Sequence, residues 1–211
     1  MDSPSSTSHA SGATTLVRAE RADLGLAFTD TCYWRQSKPT ETLHAPADLL
    51  RWCAKEGVLD AASVAALEKR WAASPNEADA RFAEGLALRE TIYRVFKAQA
   101  ADKTAAAVDL AALNMALEAA PKRALLAPES KGYVWRIDLP LAISGILAAV
   151  LWTTGDLLAS PRRTRVRQCA NPQCGGIFLD DSKSGTRRWC MMSVCGNRAK
   201  AHRHYMKRRK P

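Results

Sequence analysis

The sequence lacks the features of an exported or membrane-embedded protein. Its first fifteen residues have neither a positively charged segment nor an apolar core, so they predict a disordered leader rather than a secretory signal. The longest apolar stretch, residues 139–152, is interrupted by Pro140, Ser144 and Gly145. It is shorter than the roughly 20 residues of a membrane-spanning helix and predicts a buried core helix. We therefore expect a cytoplasmic protein with no membrane partner, whose cysteines stay reduced.

The sequence also lacks the motifs of common catalytic sites. It contains no Ser-His-Asp arrangement, no phosphate-binding loop and no internal repeat of 20–50 residues. We expect a protein that is not an enzyme. An enzyme with its pocket in the helical part of the chain stays as the less favoured alternative.

Acidic residues are scarce at the C-terminal end. Residues 162–211 carry fourteen Lys or Arg against two Asp, a net charge of +12, whereas the rest of the chain has a net charge of −2. Such asymmetry is typical of a polyanion-binding module attached to a near-neutral domain. The change at Ser160-Pro161 predicts a leader over 1–20, a helical domain over 21–160 and a basic module over 161–211. We expect the last two to unfold independently.

The pattern of apolar residues predicts a mainly α fold with a short β element. Apolar positions recur at helical spacing, and Gly57 and Pro75 lie where a helix end and a helix start are expected. One strand is predicted over residues 133–137. Helices are predicted over residues 48–56, 61–73, 75–100, 105–119 and 141–158.

Four cysteines near the C-terminus have the spacing of a metal site. Cys169 and Cys174 form one close pair, Cys190 and Cys195 form another, and fifteen residues separate the pairs. Each pair can fold as a tight turn that points two thiolates the same way, which a tetrahedral zinc site requires. The four-residue spacing within each pair disfavours a redox motif. The sequence therefore predicts a small finger of knuckle, short strands and helix that holds one Zn²⁺.

The helix predicted after Cys195 has two different faces. At 100° per residue, Ala199 lies on the face of Cys195, and the other face carries the basic residues. Because this helix contains no acidic residue, we expect it to bind nucleic acid rather than form an ordinary solvated surface. About five phosphate contacts are expected from the module, and Arg203 is the best candidate for a base contact. The predicted nucleic-acid-binding residues are Arg187, Arg188, Asn197, Arg198, Lys200, Arg203, Lys207 and Arg208.

Several segments carry a resemblance to known families. Residues 169–175 read CANPQCG, residues 185–190 read GTRRWC and residues 195–200 read CGNRAK, and together they resemble the CGNR zinc finger. Residues 24–31, LGLAFTDT, and residues 46–52, PADLLRW, resemble the helical ABATE domain. The resemblance implies a bacterial, stress-responsive transcription regulator that binds double-stranded DNA through its finger.

Three questions stay open at the level of sequence. RNA could replace DNA as the partner, because a basic surface binds either polymer. Asn197 could satisfy backbone groups of the knuckle, and Arg198 could pair with Asp180 or with the charge of the cysteine cluster. The helical domain could sense a small-molecule effector or form a homodimer. If it has a ligand pocket, Trp34 and Arg35 are the candidates, although tryptophans at helical spacing are more often core residues.

Overall fold

The computed structural model describes residues 14–17, 21–129, 132–138 and 141–208. Of these, the side chains of Thr14, Leu16, 202–204 and 206–208 are not described. The fold is mainly α, as expected, with short strand pairs. The elements, in chain order, are β1 (Thr14–Val17), α1 (Leu24–Thr29), β2 (Cys32–Tyr33), β3 (Thr40–Glu41), α2 (Pro46–Lys55), α3 (Ala61–Ala73), α4 (Pro75–Ala100), α5 (Ala107–Glu118), β4 (Leu125–Glu129), β5 (Gly132–Asp138), α6 (Ile143–Ile146), α7 (Ala148–Ala159), β6 (Val166–Gln168), β7 (Ile177–Leu179) and α8 (Asn197–Arg208).

The bounds of α3 and α4 confirm the prediction, whereas α2 begins two residues earlier and ends one residue earlier than predicted. The carboxylate of Asp48 accepts hydrogen bonds from the backbone N–H groups of His44 and Ala45 at the start of α2. Asp60 caps α3 by accepting from the backbone N–H of Ser63 at 2.7 Å. Proline occupies the first position of α2 and of α4, where its missing N–H costs nothing.

The apolar stretch of residues 141–158 forms two helices rather than one. α6 ends at Ile146 and α7 begins at Ala148, with Leu147 outside helical geometry between them. The hydroxyl of Ser144 donates to the carbonyl of Ala119 at 3.1 Å, which ties α6 to the end of α5. Among the described residues, no helix combines the length and the apolar character needed to cross a membrane.

A three-stranded antiparallel sheet, ordered β1-β5-β4, corrects the prediction of a disordered leader over 1–20. Residues 14–17 form β1 and pair with β5, from Thr14 opposite Asp138 to Val17 opposite Trp135. Thr15 and Val17 are buried, and this burial explains why the segment is ordered. Residues 1–13 and 18–20 lie outside the described part of the chain. β5 confirms the predicted strand, whereas β1 and β4 were not predicted.

The core lies where α1, α4 and α7 meet. Gly25 allows α1 to approach α7 closely, because a Cβ at this position would lie only 2.1 Å from Oγ1 of Thr154. The ring of Trp52 packs 4.9 Å from that of Phe28, and Trp71 and Trp152 are buried. These tryptophans are therefore core residues.

The C-terminal module packs directly on this core. A 3₁₀ turn, Pro161–Arg165, leads from α7 into the antiparallel pair β6-β7. Val166, Ile177 and Leu179 are buried in the same apolar cluster as α1, α4 and α7, whereas Phe178 points the other way, toward the cysteines. Because side chains alternate along a strand, one face of β7 packs in the helical core and the other packs against the cysteines. The expectation that the two parts unfold independently does not fit this shared core.

Candidate metal centre and basic surface

The four predicted cysteines lie together. The Sγ atoms of Cys169, Cys174, Cys190 and Cys195 all lie within 4.8 Å of one another. Cys174 and Cys190 are 3.6 Å apart and Cys190 and Cys195 are 3.9 Å apart, measured between Sγ atoms. A zinc tetrahedron with Zn–S distances of about 2.3 Å has edges of about 3.8 Å. The cluster therefore has the size and the donor atoms that suit a structural zinc site.

Backbone hydrogen bonds shape the two turns that carry these cysteines. In the first turn, the N–H of Cys169 donates to the carbonyl of Gly176, and the N–H of Cys174 donates to that of Asn171. The second turn is one turn of π-helix, Met192–Gly196, which continues into α8. The side-chain amide of Asn171 donates to Sγ of Cys195 at 3.6 Å and so links the turns.

The crowded thiols share their protons unequally. The pKa of Cys169 falls to about 2 because the thiols of Cys174 and Cys190 donate hydrogen bonds to its sulfur. The bond to Cys169 raises the pKa of Cys174 to about 12, and bonds to Cys169 and Cys174 raise the pKa of Cys190 as well. Zinc binds thiolates, so a metal in this cluster replaces the shared protons.

Residues of the helical domain hold the first cysteine turn through hydrogen bonds and close packing, and we call these contacts the clamp. The backbone N–H of Arg35 donates to the carbonyl of Cys174 at 2.9 Å, and the hydroxyl of Tyr93 donates to that of Gly175 at 2.9 Å. Gly175 has a φ of 67°, and a Cβ there would lie 3.0 Å from Gln36 and 3.1 Å from Arg35. Both the backbone conformation and the close approach therefore require glycine.

Trp34 and Arg35, the proposed pocket residues, form part of this clamp. Trp34 has a φ of 55° and packs in the cluster of the cysteines and Phe178. Arg35 pairs with Glu90 at 2.6 Å, donates to the carbonyl of Thr29, and lies 4.1 Å from the ring centre of Tyr93. The Trp34 side chain thus contacts the cysteine cluster, whereas Arg35 reaches it through its backbone N–H and uses its side chain to bond within the helical domain.

Family models match both parts of the chain. Residues 22–161 match ABATE, described as "Putative stress-induced transcription regulator", and residues 165–208 match the CGNR zinc finger. The chain belongs to the ABATE family. The resemblance inferred from its motifs is therefore confirmed. No curated protein matches the chain.

Two of the basic-surface candidates make contacts within the CGNR finger itself. The guanidinium of Arg187 donates to the carbonyls of Trp189 and Cys190 and lies 4.6 Å from the ring centre of Phe178. The side-chain amide of Asn197 donates to the carbonyl of Ser193 at 3.0 Å. Asn197 thus satisfies a backbone group of the second turn, the structural alternative considered for it.

The other candidates differ in their surroundings. Arg198 lies 4.2 Å from the ring centre of Trp34, and Arg188 lies 5.4 Å from that of Trp189. Within the described part of the chain, neither arginine pairs with a carboxylate. Lys200 is exposed on α8. The side chains of Arg203, Lys207 and Arg208 lie outside the described residues, although their backbone belongs to α8.

Asp180 has a structural role that the sequence did not reveal. Its carboxylate is fully buried and accepts three hydrogen bonds, from the hydroxyl and N–H of Ser182 and from the N–H of Arg187. These bonds, led by that of the Ser182 hydroxyl, lower the pKa of Asp180. Arg198 does not contact it. The one available signal was an acidic residue directly after a fully apolar strand, β7.

We expect Asp180→Ala to lower the melting temperature by several degrees, whereas Asp181→Ala should change it little. The first substitution leaves three donors without their acceptor. Asp181 is 60% exposed, and its ion pair with Arg162 is of small energetic value. Differential scanning calorimetry of the zinc-loaded proteins measures both changes. Equal melting temperatures for the two variants would contradict this role for Asp180.

Proposed function

We propose that this protein is a transcription regulator, not an enzyme, that binds double-stranded DNA through its C-terminal finger. Cys169, Cys174, Cys190 and Cys195 hold one Zn²⁺ in the proposal, and α8 carries the contacts to DNA. The observation that carries the proposal is a four-sulfur cluster at the base of a helix that has basic residues and no acidic ones. A zinc ion there has a structural role, because four protein ligands fill its coordination shell.

The DNA-contacting residues are proposed to be Lys200, Arg203, Lys207 and Arg208. Arg187 and Asn197 are left out because their side chains already bond within the finger. Cationic side chains along one helix neutralise phosphates, and an arginine that reaches a base edge adds discrimination. The helical domain holds the finger through the clamp at Trp34 and Arg35. It offers the place where an effector or a second subunit could act on DNA binding.

The affinity for a duplex should depend strongly on salt. If these four residues each neutralise one phosphate, log K falls with log salt with a slope of roughly −3.6. Lys200→Gln should reduce the magnitude of this slope by roughly one unit and weaken all sequences alike. Fluorescence anisotropy with a labelled duplex at several salt concentrations measures both quantities.

Lys183→Gln is the matched control, because Lys183 is also exposed in the finger but lies outside α8. It should leave the slope unchanged. Structured RNA titrated at the same salt separates the two polymers, and tighter binding of RNA would favour the alternative partner. A zinc-loaded protein with no duplex affinity at low salt would contradict the proposal.

A further inference from the structure

A cleft on the finger is lined by none of the four residues proposed to contact the duplex. It has a volume of about 570 Å³ and lies between the first cysteine turn and the start of α8. This volume is within the range of about 300–1,000 Å³ that is typical of small-ligand pockets. The residues that give the cleft its character are Asn171, Pro172, Gln173, Arg188, Trp189 and Arg198.

The lining of the cleft combines an aromatic platform with positive charge. The half-buried indole of Trp189 packs against the cysteine cluster, which holds it in position beside the cleft. Arg188 and Arg198 border the cleft, no carboxylate among the described side chains lines it, and each arginine lies over an aromatic ring. Two cations beside an aromatic ring attract a ligand that is both planar and anionic.

We propose that this cleft binds an unpaired nucleotide of a single DNA strand. The base packs on Trp189, and the phosphate lies between Arg188 and Arg198. A base within a duplex is stacked on both faces and presents only its edges, so it cannot use such a platform. An unpaired base exposes its face for stacking on Trp189. Its phosphate is an anionic partner for the two arginines, neither of which pairs with a carboxylate in the described part of the chain.

The position of the cleft places single-strand and duplex binding side by side. Arg198 and Ala199 line the cleft, whereas the next residue, Lys200, does not and belongs to the proposed duplex surface. A strand that leaves a duplex bound by α8 could therefore enter the cleft directly. Binding of an unpaired nucleotide in the cleft does not require duplex binding by α8.

The test compares a ten-nucleotide oligothymidylate with a duplex of about 20 base pairs, using zinc-loaded full-length protein. Trp189→Leu should weaken oligothymidylate binding by roughly five- to hundredfold, the usual value of one base stacked on an aromatic side chain. Its duplex affinity should stay within about twofold of the wild type. Arg188→Gln should also weaken oligothymidylate binding, and by more than the charge-matched control Lys183→Gln.

Backbone amide NMR locates the binding directly. Oligothymidylate should shift the amide signals of Ala170, Gln173 and Ala199, which border the cleft. If Trp189→Leu loses zinc or unfolds, Arg188→Gln carries the test, because the Arg188 side chain is exposed. Binding of oligothymidylate with these shifts but no duplex affinity would support the cleft and contradict duplex binding.

Three results would overturn the cleft proposal. The first is equal loss of oligothymidylate affinity in Arg188→Gln and Lys183→Gln, with no shifts at the cleft amides. The second is unchanged oligothymidylate binding by a folded, zinc-loaded Trp189→Leu variant. The third is binding of thymidine monophosphate as tight as that of oligothymidylate, which would identify a free nucleotide as the ligand.

Discussion

Removal of the metal should destabilise the whole protein, including the helical domain. A finger of about 50 residues has little core of its own, so loss of the metal unfolds it. Unfolding withdraws Val166, Ile177 and Leu179 from the core formed by α1, α4 and α7. Burial of three aliphatic side chains stabilises a fold by about 5 kcal/mol or more, a large share of typical domain stability.

We therefore expect a chelator to lower the melting temperature of the helical signal by about 10–20 °C. Circular dichroism against temperature, with and without EDTA, measures this shift, and elemental analysis should find one zinc per chain before treatment. Cys190→Ser should reproduce the effect, because it removes one ligand. Cys32→Ser is the matched control, since Cys32 is half-buried in β2, outside the cluster.

A different result would show two independent units. If EDTA unfolds the finger while the melting temperature of the helical signal stays unchanged, the shared core does not couple the stabilities of the two parts. A Cys190→Ser variant with full zinc content would contradict the assignment of this residue as a ligand.

Arg89→Leu should lower the free energy of unfolding by about 3 kcal/mol, because it breaks a buried ion-pair network. Arg89 is 4% exposed and donates to both carboxylate oxygens of Glu41, at 2.7 and 2.6 Å. It also donates to Thr31 and to Glu90, which in turn pairs with Arg35 of the clamp. Loss of the guanidinium removes both hydrogen bonds from Arg89 to the half-buried carboxylate of Glu41 and one of the two cations that pair with Glu90.

Urea denaturation of the zinc-loaded proteins measures this change. Arg81→Leu on the same helix is the control, because Arg81 forms an exposed pair with Glu84 one turn away. The control should change stability by less than about 1 kcal/mol. An equal decrease in the free energy of unfolding in the two variants would show that the buried Arg89 network stabilises the fold no more than an exposed ion pair.

The pH dependence of stability provides a second test of the ion-pair network of Arg89. Burial alone would raise the pKa of Glu41, but hydrogen bonds from Arg89 and the Leu43 N–H lower it below its ordinary value. A carboxyl with a lowered folded-state pKa contributes stability above its unfolded pKa of about 4.3, and this contribution is lost as the pH falls through the folded value. The difference between wild type and Arg89→Leu should therefore shrink below about pH 4.

Local sequence signals were enough to predict most helices and the cysteine cluster. Gly57 and Pro75 act on backbone groups within a few residues, so α4 has the predicted bounds and α2 lies within two residues of its predicted bounds. The bounds of α3 match those predicted from its apolar spacing. The cysteine spacing is equally local, because each pair needs only a tight turn. The paired turns then bring the four sulfurs together.

Features that depend on distant partners were not predicted. β1 pairs with β5, and these strands are more than 110 residues apart in the sequence. Arg187 was a nucleic-acid-binding candidate as a cation of the basic module, and Asn197 was one for its place on the predicted helix. Neither signal shows that nearby backbone carbonyls accept their hydrogen bonds. The role of Asp180 as an acceptor depends on three donor groups that the folded loop brings around its carboxylate.

The segment Ile177-Phe178-Leu179 shows most clearly what the local sequence determines and what depends on contacts with distant segments. Three apolar residues between turns predict a strand, and a strand sends alternate side chains to opposite faces. Nothing in these three residues says what covers each face. The tertiary structure places Ile177 and Leu179 in the helical core and Phe178 against the cysteines. Burial on both faces needs partners from distant segments, and their contacts make the finger part of the helical domain's core.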